Sequence, residues 1–328
     1  MRHPPFPPSA LLSLSLSLLA PLAHAAPTVL PLPADWYPES VAAGPDGSLY
    51  VGSWRQGAVA RLTPGAPQAA VLVRPGANGL ANTQGVLVDA QRGALWVCSG
   101  NIGYTTVAQT PGALKRYDLA SGAAQASYAM PDEGYCNDLA QDKQGNVYVT
   151  DSRHPRVLRW TPGAPALSLW REDRLLDGGG PFPGLNGIAI DGSDVYVSLV
   201  AAAPYLLRIP LAADGSAGAV SRIEAPRELK NVDALRAWQP GRLLLFESNA
   251  FGGGSYGGQI TAARIQDRKL SLRTVVAGLN DPSSGAVVGK RVYFTEAKFR
   301  LLTERKDDTA VPRGVPFNLQ SYELPADE

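Results

Sequence analysis

Six polar residues stand at equivalent places along the chain, each directly before or within a short apolar stretch. Successive members are 45 to 53 residues apart, and every one carries a side-chain oxygen. In chain order they are Glu39, Gln84, Asn137, Asn186, Asp233 and Ser283. Oxygen ligands without Cys or His suit Ca²⁺, Mg²⁺ or Mn²⁺ better than structural zinc. If the six positions converge, they predict a divalent-metal site, and the cation would explain how two carboxylates stay ionised side by side.

The elements that must position these residues are repeated strands. In the third unit, the strand that begins at Asn137 is followed by a turn around Gly145 and by the apolar strand VYVTDS. Repeats of this length built from strands are typical of β-propellers. We therefore predict an all-β, six-bladed β-propeller whose blades each contain four antiparallel strands around a central channel. The first strand of a blade is innermost, so the six polar residues should form a ring at one mouth of the channel.

A ring of blades also needs a way to close, because an open ring exposes two sheet edges. Residues 28–32 read as a spare strand before the first repeat. We predict that this strand completes the last blade beside residues 318–324.

The polar ring also has a simpler interpretation, in which its members only cap strand ends around a water-filled channel. Asn and Asp often occupy such turn positions. All six positions carry a side-chain oxygen, and units one and five carry an acid. This regularity favours a shared site. The simpler interpretation stays open at the level of the sequence.

The first 25 residues have the pattern of a signal peptide. An apolar run over residues 9–22 precedes the small-residue site Ala23-His24-Ala25. The run is shorter than the ~20 residues that a membrane span needs, although a membrane anchor is the alternative. We predict that residues 1–25 are removed, that residues 26–328 form one propeller domain, and that the protein is exported to the periplasm or secreted.

Charge and histidine content exclude several classes of site. Without residues 1–25 the chain has 29 Lys and Arg against 29 Asp and Glu, and no basic run. This balance argues against a nucleic-acid partner. His154 would be the one remaining histidine, which excludes a multi-histidine zinc site. We expect a monomer that acts on a small molecule, with no membrane span.

The chain contains two cysteines, Cys98 and Cys136. An exported protein meets an oxidising compartment, where an even number of cysteines favours pairing. Cys98 ends the second strand of unit two, and Cys136 directly precedes the first strand of unit three. Those two ends lie on the same face of adjacent blades. We therefore predict a disulfide, with two buried free thiols as the alternative.

This pattern resembles the gluconolactonase, regucalcin and senescence-marker-protein family of six-bladed propellers over the whole mature chain. The resemblance implies that Glu39, Asn186 and Asp233 hold a divalent metal. It also implies that Asn137 contacts the substrate or the metal's water. Ser283, at the start of blade six, matches the small hydroxyl residues found there in the family.

Two positions depart from that family. Tyr135 stands where the family often has an arginine that grips a sugar-like substrate, and Ser40 stands where a glycine commonly follows the first glutamate. The arylesterase and paraoxonase group is similar in outline and would make Asn137 a ligand too, but its paired catalytic histidines have no counterpart here. The resemblance thus implies the metal set more strongly than the sugar-lactone substrate.

The resulting hypothesis is a metal-dependent hydrolase of a lactone or ester. Its cofactor would be one divalent metal, with Ca²⁺ preferred over Mg²⁺, Mn²⁺ or Zn²⁺. Asp233 is the first candidate base and Asp138 the second. Trp36 and Tyr37 could stack on a substrate ring. Predicted substrate contacts are Asn137, Gln84, Ser283, Tyr135, Trp54, Arg153 and Asn249.

A different class of function is also compatible with the sequence. Propellers often bind ligands or partners without catalysis, and the fold does not imply chemistry. The alternative is therefore an exported, non-catalytic propeller that binds a small ligand or a protein.

Overall fold

The computed structural model describes Met1 and residues 29–179, 184–201, 203–248, 257–305 and 307–325. Two sets of predictions lie outside these ranges: the signal peptide over residues 1–25, apart from Met1, and the substrate contact at Asn249. Within the described residues the chain forms six antiparallel sheets of four strands each. The predicted all-β, six-bladed propeller is thereby confirmed.

The strands follow the repeat units of the sequence. The strands of the first three blades, preceded by β1, are β1 (Val29–Pro31), β2 (Pro38–Ala43), β3 (Leu49–Ser53), β4 (Ala58–Leu62), β5 (Ala70–Val73), β6 (Asn82–Asp89), β7 (Ala94–Gly100), β8 (Ala113–Asp118), β9 (Ala124–Ala129), β10 (Cys136–Gln141), β11 (Val147–Asp151), β12 (Arg156–Trp160) and β13 (Ser168–Glu172). Those of the last three blades are β14 (Leu185–Asp191), β15 (Asp194–Leu199), β16 (Leu206–Pro210), β17 (Ser221–Ile223), β18 (Val232–Gln239), β19 (Arg242–Glu247), β20 (Gly258–Gln266), β21 (Lys269–Leu279), β22 (Pro282–Val288), β23 (Arg291–Glu296) and β24 (Asn318–Glu323).

Helices are few and short in the described residues. The one α-helix, α1, spans Arg300–Thr303, and the 3-10 turns are Ala77–Gly79, Ala90–Arg92, Pro131–Glu133, Arg174–Leu176 and Asp308–Ala310. Across the part of the chain that the structure describes, no helix has the length and apolar composition needed to cross a membrane.

The blades are ordered from the inside outward as the chain runs. The innermost strands β2, β6, β10, β14, β18 and β22 contact one another around the channel. The ring closes in the last sheet, whose order is β22-β23-β24-β1. There Val29 pairs with Gln320 and Pro31 with Asn318. The N-terminal strand therefore completes the last blade beside the C-terminal one, as predicted.

The hydrophobic core lies between neighbouring blades rather than in one central mass, because propeller sheets pack face to face around the ring. Six apolar clusters fill these spaces. The cluster between the last and first blades contains Trp36 and Tyr37, both fully buried. Trp36 Nε1 donates to the Val51 carbonyl at 3.3 Å. These two rings are core residues, so the expectation that they stack on a substrate is wrong.

A disulfide joins blades two and three. Cys98 of β7 and Cys136 of β10 are bonded with an S–S distance of 2.04 Å. Both residues are fully buried within the cluster between these blades. The structure therefore shows the pairing that export and blade geometry predict. The bond lies one residue from Tyr135 and two from Asp138, and so ties the start of β10 to its neighbour.

Candidate functional site

One cavity opens at the mouth of the channel where the innermost strands begin. Its volume is about 250 Å³. The lining residues are Glu39, Trp54, Gln84, Ile102, Tyr135, Asn137, Ser152, Arg153, Gly184, Leu185, Asn186, Val200, Asp233 and Phe299. Five of the six ring residues contribute to this wall. The structure therefore brings these five side chains together around one cavity.

A β-bulge aims each ring residue. In all six blades the pairing of the innermost strand with the next one is interrupted within its first few residues. In blade three, for example, the register shifts between Cys136 and Leu139, which encloses Asn137. A bulge leaves residues unpaired and re-aims their side chains. In five blades two consecutive residues leave the regular alternation at this point, and in blade five only Asp233 does.

In blades one and four, the residue after the ring residue serves contacts between blades. Ser40 Oγ accepts a hydrogen bond from Val86 N of blade two at 2.9 Å. At Gly187 a Cβ atom would lie 2.6 Å from Leu235 N of blade five, so the close approach of these blades requires glycine. Ser40, the departure from the family pattern, therefore has a structural role here.

Three side-chain oxygens in the wall lack any partner in the structure. Asn186 Nδ2 donates to Asp233 Oδ1 at 2.9 Å, which leaves the other oxygens of this pair free. Glu39 Oε2, Asn186 Oδ1 and Asp233 Oδ2 are buried without a hydrogen bond. Other buried polar atoms also lack a partner, such as Asn280 Oδ1 and Asp281 Oδ2, but these three oxygens line one cavity. They come from blades one, four and five, the blades that the resemblance implies for a metal.

Gln84 links the carboxylate of blade one to the cavity's aromatic side. Its carboxamide orientation follows from its neighbours, since a carboxylate lies on one side and two donors on the other. Gln84 Nε2 donates to Glu39 Oε1 at 3.1 Å. Gln84 Oε1 accepts from Trp54 Nε1 at 2.6 Å and from Tyr135 Oη at 2.8 Å. This chain of hydrogen bonds holds Glu39 Oε1 in place, while Glu39 Oε2 has no hydrogen-bond partner.

Electrostatics at the site disfavour two negative charges in the absence of a cation. Burial raises the pKa of Glu39 well above its usual range, and the Asp233 and Asp138 carboxylates raise it further, while Arg236 opposes them. Burial likewise raises the pKa of Asp233 to about 7, against an opposing hydrogen bond from Asn186. Two buried acids with raised pKa values in one cleft are typical of functional sites.

Asp138 lies outside the cavity, in the layer beneath it. Arg236 Nη1 donates to Asp138 Oδ2 at 2.8 Å, and Ile188 N donates to the same oxygen at 3.2 Å. Arg236 Nη2 also donates to Ser284 at 2.9 Å. Because the bulge turns Asn137 toward the cavity, its neighbour Asp138 turns toward blade four. This placement argues against the expectation that Asp138 is a second base.

Most of the predicted substrate contacts line the cavity, but Ser283 does not. Trp54, Gln84, Tyr135, Asn137 and Arg153 line the cavity. Asn137 Nδ2 donates to Ser152 Oγ at 2.8 Å, which leaves its carboxamide oxygen for the cavity side. Ser283 does not line it; its hydroxyl donates to the Pro38 carbonyl at 3.0 Å and joins the last blade to the first.

Sequence reasoning missed the apolar part of the wall, which consists of Ile102, Leu185, Val200 and Phe299. Phe299 lies three residues after Glu296, the last residue of β23. A search for apolar side chains just after strand ends would have found it. Polar residues alone drew attention because they stand out against apolar strands.

The donor set fits a divalent cation of the oxygen-binding kind. The described residues contain no cluster of three or more His, Cys, Asp or Glu side chains, so a cation here would rest on two carboxylates and on carboxamide oxygens. Glu39, Asn186 and Asp233 each supply a buried, unpartnered oxygen. Mixed carboxylate and carboxamide oxygens are ligands that Ca²⁺ accepts in proteins.

Comparisons with known proteins agree on the fold. The sequence profile of the strictosidine synthase-like, N-terminal family matches residues 25–62. No curated protein matches the sequence at a significant level. Among solved structures, a gluconolactonase from Xanthomonas campestris is 18% identical with a TM-score of 0.63, over 91% of this chain and 89% of that one.

Other similar structures have different chemistries. A luciferin-regenerating enzyme is 14% identical with a TM-score of 0.61, over 90% of this chain and 95% of that one. Virginiamycin B lyase from Staphylococcus aureus is 11% identical with a TM-score of 0.57, over 88% and 80%. One architecture therefore carries several activities, and its residues must decide between them. The chain therefore has the six-bladed β-propeller fold and is similar in fold to a gluconolactonase.

Proposed function

We propose that the protein is a metal-dependent hydrolase of a lactone or ester, exported by its N-terminal segment and active as a monomer. The observation that carries the proposal is the set of three buried, unpartnered oxygens from Glu39, Asn186 and Asp233 in one cavity. The likeness in fold to a gluconolactonase supports the same reaction class.

The cation would be held by Glu39, Asn186 and Asp233, with the Asn137 oxygen as a further ligand, and Ca²⁺ is our first choice over Mg²⁺, Mn²⁺ or Zn²⁺. When bound, a divalent cation supplies Lewis-acid polarisation of a carbonyl and lowers the pKa of a nearby water. It would also offset the burial and the neighbouring negative charges that raise the pKa values of Glu39 and Asp233.

The chain's own residues supply the proton transfer and the orientation. Asp233 lines the cavity and has an unpartnered oxygen, so this carboxylate, once ionised beside a cation, is the first candidate to accept the proton of an attacking water. Gln84 holds Glu39 in place from one side. Trp54 and Phe299 shield the reacting centre from water on the other side.

Elemental analysis together with a panel of lactones and aryl esters tests the proposal. We expect about one divalent metal per chain and hydrolysis that a chelator abolishes and added metal restores. Asp233→Asn should lower kcat/KM by roughly 10²- to 10⁴-fold, the usual contribution of a general base. Asp214→Asn, in an exposed turn of blade four, is the matched control and should keep full activity.

Three results would count against the proposal. Equal activity in Asp233→Asn would reject Asp233 as base. A protein that contains no metal and hydrolyses no member of the panel would reject the hydrolase. If such a protein still bound a small ligand or a protein, the non-catalytic alternative would be favoured.

A further inference from the structure

The cavity has two chemically different halves. Its floor carries the ring oxygens, whereas its wall is made of Trp54, Ile102, Leu185, Val200 and Phe299, with the ring of Tyr135 between them. A substrate that reaches the floor must lie against this apolar wall. The wall should therefore select the substituent that the substrate carries next to its reacting group.

The aromatic side of the wall is rigidly built. Trp54 and Phe299 are both buried and meet edge to face with ring centroids 4.9 Å apart. Tyr104 stacks on Trp54 at 5.8 Å. Trp54 is further held by its hydrogen bond to Gln84. Such a preformed aromatic surface binds apolar groups at a low cost in conformational entropy.

The apolar surface continues beyond the cavity. Ile102 and Tyr104, on the loop after β7, are each 44% exposed and are among the few large apolar side chains exposed in the described residues. Ile102 lines the cavity, and Tyr104 extends the Trp54 stack outward. An apolar chain bound against Trp54 would leave the cavity along this rim.

Apart from those of Arg153, the side-chain hydrogen-bond donors of the cavity are engaged within the protein. The pairs are Gln84 Nε2 with Glu39, Trp54 Nε1 and Tyr135 Oη with Gln84, Asn137 Nδ2 with Ser152, and Asn186 Nδ2 with Asp233. Arg153 donates from one nitrogen to the Glu133 carbonyl at 2.7 Å and has further N–H groups, which suit one polar head. A polyol, by contrast, would bury several hydroxyl groups against carbon, and each unsatisfied hydroxyl costs binding energy.

From this arrangement we infer that the substrate is a lactone or ester with an aliphatic or aromatic substituent rather than a sugar lactone. This inference rests on the proposed hydrolase function. The ester group lies over the ring oxygens, and its apolar substituent lies between Trp54, Phe299 and Ile102 and leaves toward Tyr104. Tyr135 in place of a cationic side chain fits the same preference.

Three lactones with the same six-membered ring test the inference: δ-decalactone, which carries a pentyl chain, unsubstituted δ-valerolactone, and glucono-δ-lactone. We expect kcat/KM for δ-decalactone to exceed that for glucono-δ-lactone by at least about tenfold, since one methylene in an apolar pocket already changes this ratio by roughly 10- to 200-fold. Ile102→Ser should lower the δ-decalactone value more than the δ-valerolactone value. Leu169→Ser is the matched control, because Leu169 is 56% exposed on β13 and does not line the cavity.

The outcomes separate the inference from the proposed function. If glucono-δ-lactone is the better substrate, or if Ile102→Ser and Leu169→Ser act alike, the substrate class is wrong while the hydrolase stands. If no lactone is hydrolysed, the hydrolase proposal fails, and calorimetric titration with δ-decalactone decides the inference. Binding that Ile102→Ser weakens by about tenfold and Leu169→Ser leaves unchanged would support the apolar wall; no binding would overturn it.

Discussion

Two buried carboxylates in blade five differ sharply in how many hydrogen bonds they accept. Asp233 starts β18, and Glu247 ends the adjacent strand β19, where it pairs with Val232. Glu247 is fully buried and accepts five hydrogen bonds, whereas Asp233 keeps one oxygen without a partner. Two acids so close in one sheet share the same solvent and the same fold. Their difference therefore lies in the hydrogen-bond partners that each carboxylate has.

The partners of Glu247 show what a structural carboxylate needs. Arg227 donates to both of its oxygens, at 2.6 and 2.9 Å. Lys230 N, Thr261 Oγ1 and Gln259 Nε2 complete the set, at 2.8, 2.6 and 3.0 Å. Burial acts to raise the pKa of Glu247, but these donors outweigh it and leave that pKa lowered. A buried acid with such a set stabilises the fold, whereas Asp233 lacks one and is the acid for which we propose a cation.

Removal of the Glu247 ion pair should have the largest effect on stability. Arg227→Met leaves a buried charge without its main partner, and we expect the free energy of unfolding to fall by about 3 kcal/mol. Urea denaturation measures this. Metal stoichiometry should stay the same, because Arg227 does not line the cavity. A loss below about 1 kcal/mol would show that Thr261 and Gln259 suffice, and would weaken the contrast with Asp233.

The two carboxylates should also give opposite dependences of stability on pH. The pKa of Asp233 rises from its ordinary value of 3.8 to about 7 on folding. Its contribution to stability is therefore complete below the unfolded value and is lost as pH rises through about 7. The folded pKa of Glu247 is lowered, so its contribution is present at neutral pH and is lost as pH falls below 4.5.

Urea denaturation of the chelator-treated protein at pH 5.5, 7 and 8.5 checks this contrast. We expect the free energy of unfolding to decrease over this range, and Asp233→Asn to flatten the decrease. Saturating Ca²⁺ should remove the dependence, since a cation stabilises the ionised folded state. A metal-free protein whose stability rises from pH 5.5 to 8.5 would contradict the assignment.

The smallest expected effect concerns the hydrogen-bond chain that holds Glu39. Tyr135→Phe removes one donor to Gln84, and such a bond contributes about 1 kcal/mol. We expect calcium affinity to fall roughly five- to tenfold, measured by calorimetric titration. Tyr205→Phe is the control, because its hydroxyl donates to the Leu175 carbonyl at 3.0 Å and neither residue lines the cavity. Equal affinity in both variants would show that Gln84 does not orient Glu39.

Much of the fold follows from local chemistry. Turn residues and alternating strands recur with a regular period, and the number of repeats predicts the number of blades. The closing strand near Val29 was predictable because an unpaired strand before the first repeat has only one free edge to join. The pairing of Cys98 with Cys136 followed from the ends of two strands on adjacent blades.

Repetition along the chain predicts one part of the candidate site, and packing between the blades sets the other part. The sequence determined that Glu39, Asn186 and Asp233 share one register, because the repeat period places them there. The structure alone decided that Asn137 faces the cavity while Asp138 pairs with Arg236, since a bulge separates the directions of two consecutive side chains. It alone brought Phe299 and Ile102 to the wall, because a cavity's apolar side is assembled from loops of different blades that no local pattern connects.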